Sequence, residues 1–151
     1  MQIILRKDFR EVIPKNYTGI VEYPDESKEW YKEGELHREN GPAKEYINGY
    51  RAWYREGNLH REDGPAVEFS SGTREWYKKG ILHREDGPAR IDVYRGIYWF
   101  KEGKKHRIDG PAFISSNGTK YWYVEDKNID CYEFSLVQKA HGIFIESEIG
   151  K

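Results

Sequence analysis

Tryptophan occurs five times in the 151-residue chain, at Trp30, Trp53, Trp76, Trp99 and Trp122, and every step is 23 residues. Around the first four stand EWYKEGELHRENGPA (29–43), AWYREGNLHREDGPA (52–66), EWYKKGILHREDGPA (75–89) and YWFKEGKKHRIDGPA (98–112). A period this strict marks a repeat architecture, in which each unit buries its apolar face against its neighbours. The register runs back to Glu22-Tyr23 and forward to Asp126, so residues 17–126 form one array of about four and a half units. Residues 1–16 and 127–151 lie outside it, the first as an N-terminal capping strand and the second as a C-terminal cap.

Each unit holds a glycine after the Trp-Tyr pair, one in Asn/Asp-Gly-Pro, and one in a turn such as Asn48-Gly49 or Asn117-Gly118. Asn-Gly between aromatic runs is a strong hairpin cue. The short segments between these turns are rich in Trp, Tyr, Phe, Val and Ile, which suit a pleated surface. No unit has room for a helix. The predicted fold is all-β: an elongated, twisted antiparallel sheet of hairpin repeats, two main strands per unit, with units adding edge to edge. Strands sit about 4.8 Å apart, so equivalent residues recur every ~10 Å and the array extends ~45 Å. Alternation puts a Trp row on one face and a Tyr/Phe row (Tyr31, Tyr54, Tyr77, Phe100, Tyr123) on the other. The composition agrees, with aromatics at 15% against only 37% hydrophobic residues in all: rings, not aliphatic filler, span the step between units.

An open array has two edges that need cover. Residues 2–5 are expected to add a strand at one end. At the other, Asp130 and Glu133 have the spacing of a capping box, which predicts a helix over 131–141 with Tyr132, Leu136, Val137 and Ala140 as its apolar stripe. A short strand is expected at Ile143-Phe144-Ile145.

A 23-residue unit with Trp, then Gly, then His, then Gly before an aromatic strand resembles the MORN repeat. Here glycine comes four residues after Trp and histidine seven after, one later than the usual MORN pattern, and His-Arg-Glu-Asp-Gly-Pro-Ala replaces its His-Gly-x-Gly stretch. The likeness is to divergent MORN-like repeats of bacterial, phage and large-virus proteins, and it covers about 110 residues. It implies a scaffold or binding module; some members of the family have reported lipid affinity, and certain bacterial ones carry an antitoxin label.

His37, His60, His83 and His106 are each followed by Arg, but copies ~10 Å apart cannot share a zinc ion whose ligands all lie within ~2.3 Å of it. The lone Cys131 permits neither an internal disulfide nor a cysteine cluster. No metal and no other cofactor is expected. Catalysis needs acid, base and orienting groups converging on one atom, whereas His-Arg-Glu-Asp recurs as equivalent sets along a rod. In those sets the Asp before Gly-Pro reads as a turn residue and Arg and Glu as exposed pairs. The chain is therefore read as not an enzyme. Net charge is −1, although residues 73–107 carry +5, so a nucleic acid or nucleotide ligand is possible but less favoured. No apolar run approaches the ~20 residues of a membrane span, and Ile3-Ile4-Leu5 is too short for a signal peptide's core, so a cytoplasmic protein without membrane attachment is expected.

Positions identical in every copy are explained by the stack, and those that break the pattern are not. The fourth unit departs most: Leu36, Leu59 and Leu82 become Lys105, while Glu29, Ala52 and Glu75 become Tyr98 and then Tyr121. This points to the C-terminal half as a binding surface, with Arg95, Tyr98, Phe100, Lys105 and Tyr121 as its candidate residues, although alternation keeps them from all sharing one face. The functional expectation is a non-catalytic module that binds a protein partner, such as a phage or bacterial inhibitor covering a partner's working surface. The alternatives are a binder of a small nucleotide-like ligand and a structural scaffold, and the oligomeric state stays open.

Overall fold

The computed structural model describes residues 2–5 and 12–143, and over them the chain is a β-repeat array closed by one helix. β1 (Gln2–Leu5), β2 (Gly19–Glu22) and β3 (Lys28–Lys32) begin a 13-stranded sheet. After β3 each unit adds two strands: Lys44–Glu45 and Arg51–Ala52, Val67–Glu68 and Arg74–Glu75, Arg90–Asp92 and Gly96–Tyr98, then Phe113–Ser115 and Lys120–Val124. All of these pair antiparallel with the strands before and after them. The expected strand at residues 2–5 is present, but it runs parallel to β2, Gln2 opposite Gly19. A parallel neighbour needs a crossover rather than a hairpin, and residues 12–18 bring the chain back with Tyr17 buried beneath, its hydroxyl donating to Ile20 O at 2.6 Å.

The three middle units also contain something the alternation pattern did not reveal. There the strand does not continue straight through the tryptophan, as it does at Trp30 and Trp122; a second, shorter hairpin leaves the main sheet. Tyr54–Arg55 pairs with Asn58–Leu59, Tyr77–Lys78 with Ile81–Leu82, and Phe100–Lys101 with Lys104–Lys105, each as a two-stranded ribbon. Tryptophan is the junction. Trp76 N–H donates to Ala89 O at 2.8 Å, on the main-sheet side, and Trp76 O accepts from His83 N–H at 3.0 Å, on the ribbon side. The ribbon turns hold two successive residues at positive φ, as in Lys79 (52°) and Gly80 (78°), the geometry of a two-residue primed turn.

The core is thin, as the composition requires. Ala43, Ala66, Ala89 and Ala112, the last residues of the Gly-Pro-Ala stretches, are fully buried where the loop re-enters the sheet. A larger cluster forms at the N-terminal end from Tyr17, Val21 and Tyr23, flanked by Ile4, Ile13 and Tyr31. At the other end, α1 (Cys131–Ala140) has the capping box: Asp130 Oδ1 accepts from Glu133 N–H at 2.8 Å, and Glu133 Oε2 from Asp130 N–H at 3.4 Å. Its buried residues are Phe134 and Gln138, while Tyr132 and Leu136 of the expected stripe are 70% and 50% exposed. The helix is rotated because Phe134 must reach Trp122, 6.2 Å between ring centroids. The Trp122 unit has no His-Arg loop to cover its ring, and Phe134 does so. Of the expected strand at 143–145, Ile143 lies outside any strand, and Phe144 and Ile145 lie outside the described residues.

Candidate functional site

The His-Arg-Glu-Asp-Gly-Pro loops are fastenings. Arg38, Arg61, Arg84 and Arg107 each lay the guanidinium over their own unit's tryptophan, with Cζ 3.8, 4.0, 4.3 and 4.2 Å from the ring centroid. Asp63, Asp86 and Asp109 grip the Nε of the arginine two residues before at 2.8, 2.9 and 2.7 Å. These aspartates therefore do more than shape a turn, and the arginines are not merely exposed pairs. The guanidinium packs closely on the backbone beneath: a Cβ at Gly87 would stand 3.0 Å from Arg84 Cζ, so the arginine lies between ring and backbone. Histidine ties one unit to the next. Nδ1 of His37, His60, His83 and His106 accepts from the backbone N–H of Glu56, Lys79, Glu102 and Glu125, at 3.2, 3.1, 3.0 and 3.3 Å. With these roles assigned, the motif that looked most like acid–base equipment is accounted for by the stack.

The opposite face of the main sheet carries the tyrosines. Towards the N-terminal end, buried Glu29 accepts from Tyr23 (2.9 Å), Tyr31 (2.6 Å) and Tyr46 (2.6 Å) and pairs with Lys44 at 3.0 Å. Burial alone pushes this carboxyl up, but the hydrogen bonds from Tyr31 and Tyr46 and the Lys44 charge outweigh it and hold Glu29 below its ordinary value. In the next unit that position is Ala52, and Tyr50 stands between the two carboxylates of Glu29 and Glu75; burial, then Tyr54 and both carboxylates, push its hydroxyl up to about 12. Glu75 takes a hydrogen bond from Tyr77 at 3.1 Å and faces Arg90 at 3.4 Å, and Arg90 also grips Asp92 at 2.7 Å.

Beyond Arg90 the face changes character. Tyr98, Phe113 and Tyr121 lie opposite one another on three adjacent strands. Their rings stack, 4.2 Å apart at 9° for Tyr98 and Phe113 and 5.3 Å apart at 13° for Phe113 and Tyr121. Phe100 leans on Tyr98 at 6.4 Å, and Arg90 covers Tyr98 from the other side, Cζ 5.8 Å from the centroid. Three of the five sequence candidates, Tyr98, Phe100 and Tyr121, thus come together on one face. Lys105 places Nζ 4.7 Å from the Tyr123 centroid, beside this group. Arg95 stands at the tip of the 92–96 hairpin, held by its backbone N–H to Asp92 Oδ1 (3.0 Å), and lines a pocket of about 260 Å³ with Phe69, Thr73 and Arg90. Two neighbours were not selected from sequence. Phe113 is the middle rung, and its signal was the cross-strand register with Tyr98. Tyr94, 75% exposed beside Arg95, breaks the pattern of small residues at the hairpin tips.

Among the described residues no group of three or more His, Cys, Asp or Glu could hold a metal ion, and no helix is long and apolar enough to cross a membrane. No family model matches the chain, and neither does any curated protein or solved structure. The functional reading therefore rests on the geometry of this molecule.

Proposed function

We propose that this chain is a non-catalytic, cytoplasmic binding module of MORN-like kinship that engages a protein partner through the Tyr98–Phe113–Tyr121 ladder and its basic rim, Arg95 and Lys105, and inhibits that partner by covering its working surface. The observation that carries the proposal is the ladder itself. Three rings in successive strands are stacked before any partner arrives, so docking on them immobilises few rotamers. Tyrosine and arginine are the usual energetic anchors of interfaces. The ladder replaces Glu75, Arg90 and their equivalents only where the repeat pattern breaks, a change the stack itself does not require. An inhibitor of the antitoxin-like or phage type is the form this takes by resemblance.

The test is retention of a defined protein from host lysate, compared between the native chain and variants. Arg95→Glu and Tyr121→Lys lie at the exposed margin and leave the Tyr98–Phe113 stack in place. Each is expected to abolish retention with little change in melting temperature. Tyr98→Ala is a poorer probe, because removing the best-stacked ring also costs stability. Retention that survives both marginal changes would overturn the placement. Native mass spectrometry showing a retained nucleotide and no protein would replace the whole reading with the small-ligand one.

A further inference from the structure

Beside the ladder the repeat is broken again, and three departures from it line one pocket. In the preceding units a row of rings runs along this face, where Tyr50 packs on Tyr46 and Phe69 with centroids 5.4 and 5.5 Å apart. The row stops at Thr73, which stands at the position equivalent to Tyr50. A tyrosine-sized gap is left there, and Phe69 remains 38% exposed. The gap belongs to the cavity of about 260 Å³ between the hairpins 69–73 and 92–96, whose lining Ser71, Asp92, Tyr94 and Arg95 complete with Phe69, Thr73 and Arg90. In the units to either side, Ser71 and Asn117 hold the position of Tyr94, and Gly72 and Gly118 that of Arg95. Those hairpins close without a ring or a cation at the tip, so the stack requires neither.

We infer that this pocket takes a phosphorylated tyrosine side chain of the protein partner, its ring beside Phe69 and Tyr94 and its phosphate on Arg95, Arg90 and the hydroxyls of Ser71 and Thr73. The inference rests on the reading of the ladder given above, which the pocket adjoins because Arg90 covers Tyr98. The first argument is the count of free donors. The lining holds two cations and one carboxylate, and that carboxylate is already filled. Asp92 Oδ1 accepts from the N–H groups of Tyr94 and Arg95, both at 3.0 Å, and Oδ2 from Arg90 at 2.7 Å. Glu75, paired with Arg90 at 3.4 Å, lies outside the lining. Donors, by contrast, are left over. Among the described residues the Arg95 guanidinium makes no hydrogen bond or ion pair, and Arg90 Nε is buried without an acceptor. The hydroxyls of Ser71 and Thr73 accept from the N–H groups of Thr73 and Val93 but donate to nothing. Four donor groups without acceptors suit an anion with several oxygens, and a phosphate offers three together with about two negative charges.

The second argument is shape. A gap the size of one tyrosine, beside an exposed phenylalanine, takes a single ring, and exposed Tyr94 supplies a further aromatic wall. In phosphotyrosine the ring and the phosphate are joined directly, as the gap and the donors adjoin here. A phosphoserine would leave the place of the ring empty. A nucleotide sets a sugar between its ring and its phosphate and outgrows the gap. Recognition of a phosphorylated side chain by paired arginines also needs no change in the sheet, since both stand on one face of adjoining strands and their hairpin.

The test is fluorescence anisotropy of labelled pentapeptides on the full chain at physiological salt. Gly-Ser-phosphotyrosine-Ser-Gly is expected to bind at least about tenfold more tightly than the same peptide with tyrosine or phosphoserine at its centre. Arg95→Ala should weaken it about tenfold with little change in melting temperature. Thr73→Tyr refills the gap with the preceding unit's residue and should abolish binding in a folded chain; where it misfolds, Arg95→Ala decides alone. Equal binding of the phosphoserine peptide, indifference to Arg95→Ala, or displacement of the peptide by AMP at a lower concentration than by phenyl phosphate would each overturn the inference. Partner retention that survives tyrosine-phosphatase treatment of the lysate would also overturn it, while leaving the ladder reading in place.

Discussion

Arg84→Ala tests the fastening at its middle copy. Arg84 Cζ lies 4.3 Å over Trp76, and its side chain is only 25% exposed. A cation over a tryptophan contributes about 0.5–1 kcal/mol in solvent and about 2 kcal/mol when desolvated, so about 1 kcal/mol suits this site. The hydrogen bond to Pro88 O is long, 3.4 Å, and adds about 0.5 kcal/mol. Removing the stem re-exposes ~40 Å² of ring at ~25 cal/mol per Å², a further ~1 kcal/mol. The Asp86 contact adds little, because that carboxylate stands in solvent. The expected loss is about 2.5 kcal/mol, or a fall in Tm of roughly 5–10 °C for a chain of this length. Urea denaturation measures it, with Arg51→Ala, an exposed strand arginine, as the control expected within about 0.5 kcal/mol of the native chain. A double-mutant cycle with Trp76→Leu should return a coupling of about 1 kcal/mol. If Arg84→Ala costs no more than Arg51→Ala, or the coupling is zero, the arginine is decoration and the account of the motif fails.

Three further outcomes follow from the same geometry. Because Glu29 is held below its ordinary value of 4.5, its ionised form contributes stability that is fully present above that value and lost as pH falls through the lowered one; urea midpoints of the native chain and Glu29→Gln should therefore converge on acidification below about pH 4.5. Lys79 occupies a positive-φ position (52°) where Asn is better suited, so Lys79→Asn should raise stability by about 0.5–1 kcal/mol, read as a higher urea midpoint. His60→Phe removes the acceptor for Lys79 N–H, and hydrogen exchange followed by NMR should accelerate at the Lys79 amide while the Glu102 amide, held by His83, keeps its protection.

The period and the turn glycines made the two-strands-per-unit sheet legible, and the Asp130…Glu133 spacing made the helix legible, because those signals are local. The ribbon that departs at Trp53, Trp76 and Trp99 was not, since a strand that continues and a strand that bends away share the same alternating residues; only Trp-x-x-x-Gly, with both turn residues at positive φ, carried a hint. The arginine was misjudged for a related reason. Its partners are the ring eight residues earlier and the glycine three later, and neither interaction has a charge pattern to announce it. The helix stripe was misassigned because amphipathicity says which residues are apolar and not which one a neighbouring ring requires: Phe134 was claimed by Trp122. At the candidate site, the break in the repeat located Tyr98 and Tyr121 without their alignment. That alignment appears only when register places Phe113 between them.

The two kinds of fastening reach different distances along the chain. The arginine closes on a tryptophan eight residues back, within its own unit, whereas the histidine holds an amide 19 residues ahead, in the next. A gene cut at one codon and rejoined at the equivalent codon 23 positions away would therefore lose or gain a whole unit and leave the fastenings of these two kinds with partners of the right kind. Length is thus an inheritable dimension of this molecule, adjustable by recombination in steps of about 10 Å without redesign of either end. A lineage can lengthen or shorten the array to match whatever it spans, while point changes in a single unit supply the specificity.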